Sequence, residues 1–379
     1  MRKYHLLTPG PTQVPPQVLE AMARPLIHHR TREFEAIFGR VRENLSWLFQ
    51  VEDDVISLAA SGTGGMEALV ANLLSPGDSA LAVRGGKFGE RWIDICQSFG
   101  VRVDDFRVEE GRSADPADLE GPLQERDYKA LFVQASETST GAKHDIKAIS
   151  EMARNVSPGT LVVVDAITAL GVYDVRPEEW GLDAVLTGSQ KALMLPPGLA
   201  FIWLSERAWA AAEESKNSRY YFDLRIERKN QKRFTTARTP AISLIYGLHV
   251  ALDMMRAEGL GEIFVRHARL AEAVRSAVRA LGLELFAKDL LSESVTAVEV
   301  PPGIEGAAIP REMAKGHGVT IAGGQGALKG KIFRIGHLGY VDESDMLIAV
   351  CALEAVLAGL GYRLEEGAGL LAAKEVFSG

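Results

Sequence analysis

At 379 residues, 47% of them apolar, and a formal net charge of −8, the chain can bury a large core with a smaller one attached. Its interleaved acids and bases leave no electrostatic footprint for nucleic acid or an anionic membrane. Two cysteines, Cys96 and Cys351, stand at neither metal-ligand nor redox spacing, which excludes a disulfide framework and speaks against a zinc site, and the opening shows no apolar signal core and no long apolar span comes after it, so a soluble protein of the reducing cytoplasm is expected.

Taken in chain order, residues 1–16 (MRKYHLLTPGPTQVPP) read as an extended arm, because prolines interrupt any regular element. His28 and His29 are adjacent; on a helix they point different ways, and no carboxylates accompany them, so packing is expected and no metal is assigned. From about residue 55 to 205, uncharged runs (DVISLAA, SALAVRG, KALFVQAS, LVVVDAI, DAVLTGS, LAFIWLS) alternate with helix-length segments such as 66–74 and 145–155. Strands without an exposed polar face predict an α/β unit with a mostly parallel sheet covered on both sides. Residues 218–240 read as irregular, and 242–258 as a long helix punctuated by Gly259-Leu260-Gly261. Beyond it the chain reads as a helix (EIFVRHARLAEAVRSAVRAL), a strand (VTAVEVPP), a short helix near 310–317, a strand (KIFRIGH) and a last helix over 342–360, a small α+β unit. The predicted division is an arm (1–16), a large domain (17–258) and a small C-terminal domain (259–379).

Ligands of such sheets bind beyond the carboxyl ends of the strands. There, AASGTGGMEALVANLL (59–74) places Gly62, Gly64 and Gly65 between a strand and a helix, a backbone geometry that suits a phosphate, with Thr63 as a hydroxyl donor. The segment lacks the P-loop lysine and the GxGxxG spacing of nucleotide folds. Asp165 closes the run TLVVVD; a carboxylate there answers a buried cation, caps a helix or binds a metal, and the residue alone does not choose. Lys191, in VLTGSQKAL, is either an exposed loop lysine or a dehydrated amine able to attack an aldehyde. A phosphate cradle, a carboxylate for a pyridinium nitrogen and a lysine for an aldehyde carbon are together the requirements of pyridoxal phosphate.

SGTGGMEA, ETSTG, VVVDAITALG, TGSQKALMLPPG and FRIGHLGY, in this order, together with the opening LLTPGPTQVPPQVLEAMARPLIHHRTREF, resemble the class V aminotransferases of fold type I, in particular the alanine–glyoxylate and serine–glyoxylate (serine–pyruvate) group. The resemblance covers essentially the whole chain. It implies a seven-stranded-type sheet sandwiched by helices plus the small C-terminal domain. It makes Lys191 the Schiff-base lysine, holding the cofactor as an internal aldimine, and Asp165 the partner of the ring nitrogen. Thr63, Gly64, Gly65 and Gln190 fall on the phosphate side, Phe88 (in GGKFGERW) where an aromatic ring stacks on the cofactor, and Thr138 beside the ring hydroxyl. Arg334 matches the arginine that grips the substrate carboxylate, and Gly10 falls on the substrate side. RFTTARTPAISL resembles a segment reaching a neighbouring subunit's phosphate through Thr236 or Thr239, which implies a homodimer with shared active sites.

The expected activity is transfer of an amino group from alanine or serine to glyoxylate or pyruvate by a ping-pong cycle. A class V lyase or desulfurase would want a nucleophilic cysteine on a mobile loop, whereas Cys96 (WIDICQSF) and Cys351 (MLIAVCALEAVL) read as inert packing. A 2-aminoethylphosphonate-type transaminase and a non-catalytic protein binding a phosphorylated ligand are the remaining alternatives.

Overall fold

A computed structural model describes residues 3–378. Its centre is a seven-stranded sheet in the order Ile56–Leu58, Ala200–Leu204, Ala184–Gly188, Leu161–Asp165, Ala130–Gln134, Ser79–Arg84, Arg102–Arg107. All neighbours run parallel except Ala200–Leu204, which is antiparallel to both of its partners. Alternate residues of the inner strands enter opposite cores: Leu131, Val133, Val162 and Val164 pack on one face, Ala130, Phe132, Leu161 and Val163 on the other. Helices Arg32–Phe49 and Ile242–Glu258 cover the first face through Leu45, Leu48, Leu248 and Leu252. Helix Gly62–Leu73 covers the second through Met66 and Leu69, joined by Trp92. Burial on both faces explains why six of the strands read as uncharged runs. The seventh, Arg102–Arg107, does not: it is a half-exposed edge strand, and its charges disguise it in the sequence.

A three-stranded antiparallel sheet, Val295–Glu299, Ile332–Gly336 and Ala322–Gly323, forms a third core. There Phe333 and Ile335 meet Leu270 and Val274 of helix Leu260–Ala280 and Leu353 of helix Glu343–Gly359. Only Gly259, with φ +87°, separates Ile242–Glu258 from Leu260–Ala280, so the glycine punctuation interrupts the helical path by one residue. The arm is tied across the molecule: His5–Leu6 pairs in parallel with Val319–Thr320, and the Gly336 amide donates to the Leu7 carbonyl at 2.7 Å.

Four expectations are corrected. Residues 218–240 contain a helix, Leu224–Gln231, capped by Asp223, whose polar sequence hides it. Helix Ala368–Ser378 comes after the one expected to be last and packs on Leu260–Ala280. His28 and His29 lie in a turn rather than a helix, with ring centroids 4.7 Å apart. Cys351 is exposed on its helix, not packed, whereas Cys96 is buried and its thiol is pushed up to about 12 by burial. No helix among the described residues is long and apolar enough to cross a membrane.

Candidate functional site

Helix Gly62–Leu73 begins at the end of the short strand Ile56–Leu58, and Ser61 caps it, its Oγ accepting from the Gly64 amide at 3.3 Å. The Gly65 amide bonds the Ser61 carbonyl, so Gly62 and Thr63 keep first-turn amides that the helix itself cannot satisfy. The glycines also allow close packing on the sheet. A Cβ on Gly62 would lie 2.5 Å from Ile167 Cδ1, and one on Gly65 would lie 3.1 Å from Leu186 Cδ1. Gln190 reaches the same point. A Cβ on Gly188 would lie 3.0 Å from Gln190 Oε1 and 3.6 Å from the Gly62 nitrogen, and Gln190 Oε1 is buried without a hydrogen-bond partner. Thr63 is exposed, its hydroxyl accepting from Arg91 Nη1 at 3.1 Å.

Asp165 ends the central strand Leu161–Asp165, 4% exposed, with Oδ1 accepting from the Ile167 amide at 2.8 Å. Burial pushes its carboxyl up to about 7, with the charge of Glu137 acting in the same sense and the Ile167 amide, Arg91 and Lys191 opposing it. Lys191 follows the neighbouring strand and is likewise buried. Desolvation brings its amine down to about 8, opposed by Asp165 and reinforced by Arg334 and Arg91. Each group is thus moved toward its neutral form. Lys191 Nζ donates to the Pro9 carbonyl at 2.6 Å. Gly10 must lack a side chain, since at φ +129° its Cβ would lie 2.1 Å from that Nζ. The arm is fixed there by Thr12, whose amide donates to the Gln190 carbonyl and whose hydroxyl donates to the Lys191 carbonyl. Beside Asp165 in the sheet register stands Gln134, fully buried, with both amide atoms unpartnered.

Phe88 lies in the first turn of helix Lys87–Ser98 rather than in a loop, half-buried, with the Arg91 guanidinium 4.9 Å from its ring centroid. Arg334, from the middle of Ile332–Gly336, reaches from the small sheet to the turn that follows the short strand Ser136–Glu137. Its Nε and Nη2 donate to the Gly323 carbonyl at 3.0 and 2.8 Å, and its Nη1 donates to the Thr138 carbonyl at 2.9 Å. Of the guanidinium's N–H groups, one on each Nη is left, a fork suited to a carboxylate. Thr138 is buried against it.

These contacts bring Gly10, Gln190 and Lys191 together and join Thr138 to Arg334. Thr236 and Thr239 stand apart: among the described residues neither hydrogen-bonds another candidate. Thr236 is buried and donates to the Arg238 carbonyl at 2.6 Å, while Thr239 is exposed. The reading of the sequence misses Arg91, Gln134 and the Pro9 carbonyl. Arg91 is visible only as one turn after Phe88, and a backbone oxygen carries no sequence signal.

Residues 4–338 match the family model described as aminotransferase class-V. The chain is 45% identical to the soluble hydrogenase 42 kDa subunit of Anabaena cylindrica, with 99% of each chain covered. It is 37% identical to the serine–glyoxylate aminotransferase of Hyphomicrobium methylovorum, over 99% of this chain and 94% of that one. The crystal structure of ureidoglycine–glyoxylate aminotransferase from Bacillus subtilis superposes with a TM-score of 0.93 at 31% identity, covering 100% of this chain and 99% of the other.

Proposed function

The chain belongs to the class-V aminotransferases, and from that premise we propose that it binds pyridoxal phosphate at Lys191 and moves an amino group from a small amino acid, alanine or serine, to glyoxylate or pyruvate. The observation that carries this reading is the buried pair of Lys191, brought to about 8, and Asp165, raised to about 7, with the Arg334 fork fixed nearby. The residues fit the cofactor. The open amides at Gly62 and Thr63 gather where a phosphate would sit, beside a Gln190 side chain whose partnerless Oε1 leaves the amide free to turn its NH2 group toward that point, and Asp165 keeps Oδ2 for a ring nitrogen while Oδ1 is occupied.

When bound, pyridoxal phosphate supplies an aldehyde carbon and a sink for the electrons of the broken Cα–H bond. Lys191 would hold the group through its neutral amine, a form its desolvated site makes available near neutral pH. Once free, its Nζ takes the proton from the substrate Cα as general base and returns it as general acid. The Pro9 carbonyl orients that nitrogen. Asp165 would hold a protonated ring nitrogen, whose positive charge would favour the carboxylate form against the effect of burial. Arg334 pins the substrate carboxylate, which fixes the Cα–H bond relative to Lys191. Phe88 would stack on the ring, and Gly10 would leave room for the substrate.

Glyoxylate appears in the names of both the Hyphomicrobium and the Bacillus proteins, while their donors differ; this supports a small oxo acid as acceptor. The working unit is a homodimer, with the exposed Thr239 reaching the neighbour's phosphate while the Thr236 hydroxyl stays engaged with Arg238. The test is a half-reaction screen read by the absorption of the bound cofactor. Alanine or serine converts it and glyoxylate restores it. Conversion by 2-aminoethylphosphonate, with alanine and serine inert, overturns the substrate class.

A further inference from the structure

Glu137 takes no part in the steps above, yet it is 0% exposed and lies between three of the candidate residues. Its carboxylate accepts four hydrogen bonds. Oε2 takes the backbone amides of Phe88 and Gly89, both at 3.1 Å, and Oε1 takes the Ser139 amide at 3.2 Å and the Ser139 hydroxyl at 2.5 Å. Ser139 Oγ in turn accepts from the Lys87 amide at 3.1 Å. Lys87, Phe88 and Gly89 open helix Lys87–Ser98, and its N-cap residue, Gly86, has no side chain to cap it.

The first amides of a helix need an acceptor from outside it, ordinarily the residue just before. Here the acceptor comes from a residue 49 positions later in the chain. Gly86 has to be glycine for this to happen: a Cβ there would lie 2.3 Å from Ser139 Oγ and 2.7 Å from Glu137 Cδ. Every contact is a donor, so only the ionised carboxylate satisfies all four, and the helix N-terminus favours that charge. Burial acts the other way, raising the carboxyl's pKa, with the donors offsetting it. The residue after Glu137 is Thr138, whose carbonyl holds Arg334 Nη1, and the negative charge of Glu137 also favours the Arg334 cation.

We propose that Glu137 is a positioning residue: by capping the helix that carries Phe88 and anchoring the turn that carries Thr138, it holds the aromatic ring and the Arg334 fork in one register. This rests on the pyridoxal phosphate reading of the site. Glu137→Gln keeps the size but sets an NH2 group against donors. In the cofactor-free variant, hydrogen exchange at the Phe88 and Gly89 amides rises, which reports the lost cap. In the loaded variant, borohydride still labels Lys191, but cofactor release quickens about tenfold, the visible circular dichroism per bound cofactor falls, and the amino-acid KM rises. Once Phe88→Leu has removed the ring, adding Glu137→Gln leaves release no faster.

Faster exchange with unchanged release and unchanged dichroism per bound cofactor would show a purely structural cap and overturn the proposal, as would full additivity with Phe88→Leu. Ser139→Ala, which removes one donor and the bridge to Lys87, moves the same readings in the same direction by less. It decides the matter if Glu137→Gln does not fold. A wild-type protein that takes up no pyridoxal phosphate would overturn the functional reading itself, an outcome separate from any of these.

Discussion

At Lys191 two effects compete, and their balance can be measured. Burial favours the neutral amine while Asp165 favours the ammonium, and burial wins, leaving the group at about 8 instead of 10.5. Only the neutral amine attacks an aldehyde, so the rate at which the cofactor-free protein attaches pyridoxal phosphate rises with pH around a midpoint of about 8 and levels off above it. Stopped-flow absorbance across that range checks this, and a midpoint near the value of a solvated lysine would refute it. Arg334 gives a second expectation. Its Nε and Nη2 are committed to Gly323 and one Nη1 proton to Thr138, so under the proposed function the substrate carboxylate would meet the two N–H groups that remain. Arg334→Lys keeps the charge but not the fork; the variant binds cofactor normally, while the affinity for amino and oxo acids drops by about tenfold or more, as titration of the cofactor absorbance would show. Lys191 stands out in the sequence for a plain reason, a charge at the end of an uncharged strand, whereas Arg334 is singled out only by the resemblance of its motif. What they touch is less legible, because Lys191 meets the backbone oxygen of Pro9 and Arg334 those of Gly323 and Thr138.

Among the elements, the turn into helix Gly62–Leu73 shows how the sequence can mark a helix start for an incomplete reason. The glycines read as a loop that frees amides, and the helix reads as starting at Met66; in fact Ser61 caps the helix and the glycines form its first turn. Their smallness is needed as much against the sheet as toward a ligand, since a Cβ on Gly62 would run into Ile167. Gly62→Ala therefore shifts the first turn and weakens cofactor binding, and Ile167→Val, which removes the Cδ1 atom, restores part of it. Equilibrium dialysis on the two single variants and the pair checks the coupling, and additive losses would count against it. Amphipathic and uncharged patterns reveal most other elements, with Ile242–Glu258 read to its boundaries. Two of the failures share a cause: Leu224–Gln231 and Arg102–Arg107 carry charges on the faces that pattern reading searches for apolar residues.

For the whole molecule, Thr236 and Thr239 form no hydrogen bond with the other candidates among the described residues, as a contribution to a second copy requires. Mixing Lys191→Ala chains with Thr239→Ala chains regenerates one intact site per hybrid dimer and so restores activity that neither variant has alone; no recovery, with Thr239→Ala loading cofactor normally, would sink the shared site. Architecture at this scale is legible from the alternation of strands and helices and from the resemblance of motifs. Convergence of Gly10, Lys191 and Arg334 comes from the resemblance alone, since no local pattern joins residues so far apart. The arm carries a consequence for the order of events during synthesis. Residues 5–12 are synthesised well before two of their anchors, Val319–Thr320 and Gly336. A chain that stops short of these anchors can therefore build its large sheet and bury Lys191 without the Pro9 carbonyl locked over it, so the lysine gains that neighbour firmly only once Gly336 has been made. A chain ending before Val319 should leave the arm open to protease while its large sheet stays resistant, and only a chain that extends past Gly336 should protect both.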